Sequence, residues 1–318
     1  MKKFLKIIGR VLMIITAVIA VFLLGLFIYD RIMLSSEKML IENQMYGQKV
    51  EVDGARMSIY TAGKGDHTLV FMAGAGDSGP IFSFKSFADR FSDYRVVIIE
   101  KFGYGFSDAF DGPRDVKTRV DQDRKALKAA GIEGPYILCP HSYSGLETIY
   151  WAQTFPSEVE AIAGLDMAIP AAYDMYDESY IKSNASQFSL MRAVRKMGIV
   201  RLLAGGSINK DFAAEEKATA MALVCGRYCN ETYAHESDYL ISDRDLIESK
   251  DMPDVPTLLI VSDGKILEGW TGMVKDYASK LSGATVVQLD CGHGVYREEP
   301  DKCEKAMREF FGKLDGKA

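Results

Sequence analysis

The sequence predicts an α/β fold built on a mostly parallel central sheet. Six short runs of aliphatic and β-branched residues alternate along the chain with segments of helical spacing. Their continuous apolar character is typical of strands buried on both faces. Strands that alternate with helices predict parallel pairing with right-handed crossovers. The runs are TLVFMA (68–73), RVVIIE (95–100), YILC (136–139), AIAGL (161–165), TLLIV (257–261) and ATVVQL (284–289).

A hairpin is predicted ahead of the parallel strands. Residues 49–52 and 57–60 alternate between polar and apolar side chains around Asp53-Gly54, a pair typical of a tight hairpin turn. Two later segments, 115–130 and 300–315, show helical spacing with charged outer faces. They are predicted to be crossover and C-terminal helices.

The interval between the fourth and fifth apolar runs is too long for a single crossover. Residues 168–252 are rich in Met, Tyr and Ala and have helical character. We therefore predict a helical cap inserted into the α/β domain over this interval.

The N-terminus contains an uncharged apolar run, residues 11–29. As a helix it would rise roughly 28 Å, close to the hydrocarbon thickness of a bilayer. Four basic residues precede it, whereas Asp30 and Arg31 cancel each other just after it. This bias predicts a cytoplasmic N-terminus and places the residues from about 31 onward outside the cytoplasm. The four basic residues are Lys2, Lys3, Lys6 and Arg10.

Two other interpretations of the apolar run fit it less well. A cleaved signal peptide would usually have a shorter apolar region, and no small-x-small cleavage site follows Tyr29. A buried helix of a soluble protein is less favoured, because this stretch is apolar on every face. We predict an uncleaved signal anchor over 1–31, a linker over 32–46 and an α/β domain over 47–318.

Composition narrows the function further. The formal charge of −6 and the absence of a basic patch beyond the first ten residues argue against binding to nucleic acid. The sequence shows no metal-binding cluster, and the expected chemistry requires no cofactor. Of the five cysteines, Cys139 lies in a predicted strand, and Cys225 and Cys229 have the spacing of a bridge on a helix or of two buried side chains. The other two are Cys291 and Cys303.

A serine lies at the junction of a predicted strand and helix. The strand YILC is followed by PHSYSG (140–145) and then by LETIYWAQTF, so Ser142 occupies the position of a nucleophile at a sharp strand-to-helix turn. The usual form of this turn is G-x-S-x-G, and here Pro140 and Ser144 take the outer positions. Ser144 is the weaker candidate because its own second flank would be Leu146, which is too large.

Taken with four further motifs, this turn resembles the α/β-hydrolase superfamily over residues 48 to 315. The resemblance is to its capped members, which include lipases, esterases, haloperoxidases and proline iminopeptidases. It implies a serine hydrolase with a small-molecule ester or amide substrate. The further motifs are AGAGDSG (73–79), EKFGYGFSD (100–108), PTLLIVSDG (256–264) and CGHGVYREEP (291–300).

The resemblance implies a base and an acid for Ser142. His293 follows the last predicted strand, where the superfamily places its general base. Asp263 follows the strand before it, which completes the order Ser142, Asp263, His293 expected for this fold. Asp166, after the AIAGL strand, is an alternative because some relatives carry their acid there, and Asp290 is a second.

An oxyanion hole requires two backbone N–H donors. Tyr143, the residue after the nucleophile, is predicted to supply one. Ala75 is predicted to supply the other, from the loop in which Gly74 and Gly76 let the backbone approach a substrate closely. A plain glycine-rich turn is the alternative interpretation of this loop.

The predicted function is hydrolysis of an ester, or less readily an amide, through an acyl-enzyme, with an apolar acyl or aryl group in the pocket. Within the superfamily, a haloperoxidase-like activity and an aminopeptidase acting on N-terminal proline are alternatives. The latter would use cap carboxylates such as Asp174, Asp177 and Glu178 to bind the amine. A binding module that has lost catalysis is an alternative of another class. The sequence does not predict the oligomeric state.

Overall fold

The computed structural model of the protein describes residues 2–206, 208–314 and 316, without the side chain of Lys2. The chain divides into two compact units. The smaller unit consists of Met1–Met45 and Ser186–Cys229, and the larger of Tyr46–Ala185 and Asn230–Ala318.

The larger unit is organised around a sheet that has eight strands within the described residues, in the order β1-β2-β4-β3-β5-β6-β7-β8. The pairs β1–β2 and β2–β4 are antiparallel, and all other neighbours are parallel. The predicted mostly parallel sheet is therefore confirmed. The strands are β1 (Gln48–Val52), β2 (Ala55–Ala62), β3 (Thr68–Met72), β4 (Arg95–Glu100), β5 (Tyr136–Ser142), β6 (Val159–Met167), β7 (Thr257–Val261) and β8 (Thr285–Gln288).

Helices cover the sheet and fill the insertion. The first, α1 (Lys2–Glu42), belongs to the smaller unit together with α6 (Ile199–Leu203) and α7 (Ala214–Arg227), and α5 (Glu178–Lys196) crosses the boundary between the units. The larger unit contains α2 (Pro80–Ala88), α3 (Val116–Ala129), α4 (Ser144–Thr154), α8 (Glu231–Glu236), α9 (Leu240–Glu248), α10 (Trp270–Ser279), α11 (Val295–Glu298) and α12 (Pro300–Leu314).

The hairpin forms as its turn predicts. Asp53 and Gly54 both have positive φ, 49° and 84°, and they connect strands paired from Val52↔Ala55 onward. Positive φ at both central residues is what the twist of a two-residue hairpin requires. The apolar residues of the two strands then face the same buried side.

The central parallel strands are mostly apolar because helices cover both faces of the sheet. Every residue of β3 is buried. On one face, the ring of Phe71 packs 5.5 Å from Phe84 and 6.4 Å from Phe91. On the other face, Val70 and Leu138 belong to a core that includes Trp151 of α4. This packing fixes the height at which each strand ends, and the candidate site lies at those ends.

The N-terminal helix is longer than predicted. α1 does not end after the apolar run but continues through Glu42, so most of the predicted linker 32–46 is helical. Within the smaller unit, Arg201 of α6 holds this extension by ion pairs to Asp30 at 3.0 Å and Glu37 at 2.8 Å. Among the described residues, α1 is the one helix whose length and apolar composition would suit a membrane crossing.

The insertion between β6 and β7 is helical, as predicted for residues 168–252. Its central part, Ser186–Cys229, clusters with α1 and not with the sheet, a division that the sequence did not predict. All five cysteines are free thiols, so a bridge between Cys225 and Cys229 is not formed.

Candidate active site

Ser142 lies at a sharp turn between β5 and α4. It is the last residue of β5, its φ is +53°, and α4 begins two residues later at Ser144. The turn is tightly packed, because a Cβ on Gly145 would come 2.1 Å from the carbonyl oxygen of Ala168. The backbone N–H of Ala168 also donates to the carbonyl of Ser142 at 2.8 Å. This is the geometry of a nucleophile turn.

Ser144, the alternative nucleophile, serves the turn itself. Its side chain is fully buried, and its hydroxyl lies 2.8 Å from the carbonyl oxygen of Met72 and accepts the backbone N–H of His141 at 3.1 Å. The hydroxyl therefore ties the end of β5 to β3. Ser142, in contrast, is partly exposed.

The acid that contacts His293 is Asp166, at the end of β6. The Nδ1 of His293 lies 2.6 Å from Oδ2 of Asp166, which identifies the proton on that nitrogen as the donor. The other oxygen, Oδ1, accepts the backbone N–H of Ser262 at 2.9 Å and the indole N–H of Trp270 at 2.8 Å. Although burial acts to raise it, these hydrogen bonds hold the pKa of Asp166 below its usual value. The carboxylate is thus charged and fixed in orientation.

The prediction that Asp263 orients His293 is corrected by this geometry. Asp263 accepts the backbone N–H of Lys265 at 3.0 Å and forms an ion pair with its ammonium group at 2.6 Å. These contacts lower the pKa of Asp263. The physical reason lies in the register: Leu165 pairs with Ile260, so Asp166 reaches the end of the sheet level with Val261, and Asp263 has already left the strand.

The sequence around Asp166 contains a pattern that favours it as the acid that contacts His293. The stretch AIAGLDMAIP (161–170) carries one charge inside an otherwise apolar run. A carboxylate in that setting is buried and needs donors of its own. Asp263, followed by Gly264 and Lys265, has a cation beside it in sequence and needs no partner elsewhere.

His293 is brought to the nucleophile turn through His141. The two imidazole rings lie 4.6 Å apart between centroids, and the Nε2–H of His141 donates to the carbonyl oxygen of His293 at 3.1 Å. Burial, and then the neighbouring His293, lower the pKa of His141 to about 3, so this ring stays neutral. His141 therefore lines the turn at Ser142 as a neutral ring. Ser142 and His293 are not hydrogen-bonded to each other in the described residues.

The loop after β3 also reaches Ser142. A Cβ on Gly74 would lie 2.8 Å from Cβ of Ser142 and 3.2 Å from Nδ1 of His141. Within the described part of the chain, the backbone N–H groups of Ala75 and Tyr143 have no acceptor. The two predicted oxyanion donors thus remain available in segments that flank Ser142.

Two residues that the sequence did not single out hold this loop. The phenol oxygen of Tyr104 accepts the backbone N–H of Gly76 at 3.1 Å, and its own proton is donated to Glu236 at 2.7 Å. Glu236 is buried and is held in turn by Arg114 at 2.8 Å. Tyr104 lies within the EKFGYGFSD motif, but no sequence pattern links it to Glu236, because the spacing between the two residues is set only by the fold.

A cluster of buried charges extends from Glu236 beneath α4. Glu147 binds Lys101 at 2.9 Å and Arg119 at 2.6 Å, and Arg119 also binds Asp243 at 3.1 Å. A further carboxyl group, Asp123, has no hydrogen-bond partner on either oxygen. Burial, and then the nearby charge of Glu147, raise its pKa to about 8. With Asp123 protonated, the cluster balances three cations against three carboxylates. Its six charged members are Lys101, Arg114, Arg119, Glu147, Glu236 and Asp243.

Aromatic rings surround the nucleophile turn. The ring of Tyr143 packs edge-on against Tyr173 at 6.1 Å, and Tyr173 packs against Tyr176 at 5.4 Å. On the other side, a Cβ on Gly76 would touch the ring of Tyr233 at 3.0 Å. The described residues contain no group of three or more His, Cys, Asp or Glu side chains placed to hold a metal ion.

The acidic residues at the start of the insertion have structural roles. Asp177 accepts the hydroxyl of Ser179 at 2.7 Å and the backbone N–H of Tyr180 at 2.9 Å, which caps the start of α5. Glu178 lies 3.7 Å from Lys182 on the exposed face of the same helix. These contacts assign two of the three suggested amine ligands to helix stabilisation.

The chain is similar to known proteins in sequence and in fold. No family model matches the chain. Over 331 aligned residues it is 30% identical to the uncharacterized protein YbdG of Bacillus subtilis (strain 168), covering 99% of this chain and 100% of YbdG.

Solved structures are similar at the level of the fold. An enol-lactonase from Burkholderia xenovorans superimposes with a TM-score of 0.59 at 18% identity, over 83% of this chain and 99% of that one. A mutant epoxide hydrolase from Bacillus megaterium does so with a TM-score of 0.63 at 14% identity, over 83% and 100%. These likenesses confirm the α/β-hydrolase fold.

Proposed function

The chain belongs to the same family as YbdG of Bacillus subtilis, and we propose that it uses its α/β-hydrolase fold as a serine hydrolase. The proposed reaction is cleavage of an ester bond, and less readily of an amide bond, through an acyl-enzyme. The observation that carries this proposal is the 2.6 Å contact between His293 and Asp166, behind a serine held at a strand-to-helix turn.

Acylation begins at Ser142. Its Oγ attacks the substrate carbonyl carbon as Nε2 of His293 takes the hydroxyl proton. Asp166 stabilises the imidazolium through Nδ1–H and keeps Nε2 free to accept. The backbone N–H groups of Ala75 and Tyr143 bind the oxygen that becomes negative. Collapse of this intermediate breaks the bond to the leaving group, which takes the proton from His293.

Deacylation repeats the same steps with water. His293 takes a proton from the water molecule, the hydroxide attacks the acyl carbon, and Ser142 leaves with the proton returned from His293. Every proton and bond is accounted for by the substrate, water and the three side chains.

The nature of the nucleophile favours esters over epoxides, although an epoxide hydrolase has a similar fold. Attack of a serine alkoxide on an epoxide would form an ether, which water does not cleave under these conditions. Attack on an ester or a lactone forms an acyl-enzyme that water can hydrolyse. The tyrosines around the turn, including Tyr143 and Tyr173, support an apolar acyl or aryl group in the substrate.

We propose further that α1 is an uncleaved membrane anchor with the catalytic domain outside the cytoplasm. The basic residues before the apolar run support this orientation. The contacts of Arg201 support retention of the helix, because cleavage after Tyr29 would separate the buried Asp30 from the apolar run while it is bound to Arg201.

A fluorophosphonate probe tests the proposed chemistry. The purified protein should be labelled once, at Ser142, and should hydrolyse acyl esters of graded chain length faster than proline amides. Ser142→Ala should abolish labelling and turnover, whereas the matched variant Ser144→Ala should keep the labelled residue. An unlabelled yet folded protein would support the binding-module interpretation, and labelling at Ser144 would overturn the assignment of the nucleophile.

A further inference from the structure

The smaller unit contains an exposed apolar patch near the outer end of the apolar run. Its members are Leu202 and Leu203 of α6, which are 57% and 72% exposed. Single exposed leucines need no explanation, but two adjacent ones on a short helix beside a candidate membrane span do. We name these two residues the interfacial patch.

The height of α6 along α1 is fixed by backbone contact. Gly198, just before α6, lies so close to α1 that a Cβ would come 2.6 Å from Cβ of Asp30 and 3.0 Å from the carbonyl oxygen of Leu26. Leu26 belongs to the apolar run, and Asp30 is the first charged residue after it. The start of α6 is therefore level with the end of the run.

Buried ion pairs also determine which side of α6 faces α1. Arg201 contacts Asp30 and Glu37, which lie two helical turns apart, about 10 Å along α1. Since the guanidinium faces α1, the next two residues, Leu202 and Leu203, are left exposed. The segment beyond them is also open, because a Cβ on Gly205 or Gly206 would meet nothing within 4 Å.

We propose that the interfacial patch inserts into the boundary between headgroups and acyl chains of the outer leaflet. This inference rests on the proposed membrane anchor and extends it to the insertion that follows Asp166 in the chain. The occupant is the lipid surface because the apolar run that places α6 at this height would itself fill the hydrocarbon layer. Lys210, exposed a few residues later, suits an anionic headgroup.

Tryptophan quenching in vesicles can measure this depth on the full-length protein. Three single variants of the smaller unit compare the depth of a tryptophan at different positions. They are Ile19→Trp in the middle of the apolar run, Leu203→Trp in the patch, and Met39→Trp nine residues beyond Asp30. All three positions are exposed, so a larger side chain can be accommodated. The native Trp151 and Trp270 are buried, and the parent protein supplies their background signal.

Lipids brominated on the acyl chain near the headgroup should quench roughly half of the added signal in Leu203→Trp. Lipids brominated near the chain end should quench Ile19→Trp best, and neither lipid should quench Met39→Trp strongly. Leu202→Trp provides a second patch variant, and thermal unfolding of each variant checks the fold.

Two results would overturn the proposal, and they are distinguishable. If Ile19→Trp is quenched but Leu203→Trp is quenched no more than Met39→Trp, the membrane anchor is supported and insertion of the patch is refuted. The same weak quenching of Leu203→Trp would result if a second copy of the chain covered the patch. An unquenched Ile19→Trp would refute the anchor itself.

Discussion

Trp270 donates its indole N–H to Oδ1 of Asp166 at 2.8 Å, on the carboxylate oxygen that does not face His293. Together with the backbone N–H of Ser262, it makes the two oxygens of Asp166 distinct: one accepts two fixed donors, and the other is left for the imidazole. A side chain that replaces Asp166 must accept from Ser262 and Trp270 with one atom and from Nδ1–H of His293 with the other.

Asp166→Asn should therefore retain the fold and lose most activity. The carbonyl of the new amide would have to face Ser262 and Trp270, so its NH₂ group would face Nδ1 of His293. That arrangement favours the tautomer protonated on Nε2, which cannot accept the proton of Ser142. We expect kcat to fall by roughly 10⁴-fold. Ester hydrolysis by the purified variant, with circular dichroism for the fold, is the measurement.

The matched control is Asp263→Asn, which removes only the ion pair with Lys265. It should hydrolyse the same ester within a few-fold of the parent. If Asp263→Asn were the inactive variant and Asp166→Asn the active one, the original sequence prediction would be right and the acid assigned to Asp166 wrong.

Tyr104→Phe should weaken both the fold and the oxyanion loop. Removing the hydroxyl leaves the N–H of Gly76 without its acceptor and a buried oxygen of Glu236 without its donor, which costs about 1–3 kcal/mol of stability. The loop that carries Ala75 then becomes less well positioned, and we expect kcat/KM to fall by about tenfold, well short of the loss of a donor. Urea unfolding and ester kinetics measure the two effects. An unchanged kcat/KM in a destabilised variant would restrict Tyr104 to a structural role.

The unpartnered Asp123 predicts a dependence of stability on pH. Its pKa is raised from 3.8 to about 8 in the folded state, so between these values the folded protein holds a proton that the unfolded chain has lost. The unfolded state then binds fewer protons, and the free energy of unfolding falls as pH rises through this window, by about 1.4 kcal/mol per pH unit. Both states bind equal numbers of protons outside the window.

Asp123→Asn isolates this contribution, since the amide resembles the protonated acid. The difference in unfolding free energy between variant and parent should grow from about pH 4 to pH 8, with the variant becoming the more stable. Denaturant titrations at several pH values measure it. A difference that stays constant with pH would show that Asp123 is ionised throughout.

Arg201→Met should destabilise the smaller unit, because it leaves the buried Glu37 without its cation and the buried Asp30 with only the ion pair to Arg31 at 2.6 Å. Breaking a buried ion pair from one side costs about 3–5 kcal/mol. Hydrogen exchange in α6 and α7, measured in detergent, should rise accordingly. Adding Asp30→Asn and Glu37→Gln to the same chain should restore part of the protection. Equal exchange in parent and Arg201→Met would mean that the pairs contribute little.

The architecture was predictable because it depends on local pattern. Apolar runs, helical spacing and the Asp53-Gly54 turn each reflect physics that acts within a few residues, and the strands begin and end within a few residues of the predicted positions. The nucleophile turn was identifiable for the same reason, since Ser142 is defined by the strand and the helix on either side of it.

The choice of acid was less predictable because it depends on register between neighbouring strands. Asp166 and Asp263 each follow an apolar run, and one pairing offset decides which of them reaches His293. The contact of Tyr104 with Glu236 joins residues 132 positions apart, and the division of the insertion depends on Arg201 meeting α1. No local pattern encodes such long-range pairs.

Ser142 and Asp166 share one unusual backbone property: both adopt positive φ, 53° and 49°, although neither is glycine. Each conformation costs about 1–2 kcal/mol relative to an ordinary one, and glycine would remove that cost. A selection for thermal stability alone would therefore favour glycine at Ser142, where it ends the proposed chemistry, whereas glycine at Asp166 would leave the N–H groups of Ser262 and Trp270 without their acceptor. Engineering of this protein has to screen for turnover alongside melting temperature, because a substitution that raises stability at Ser142 removes the proposed activity.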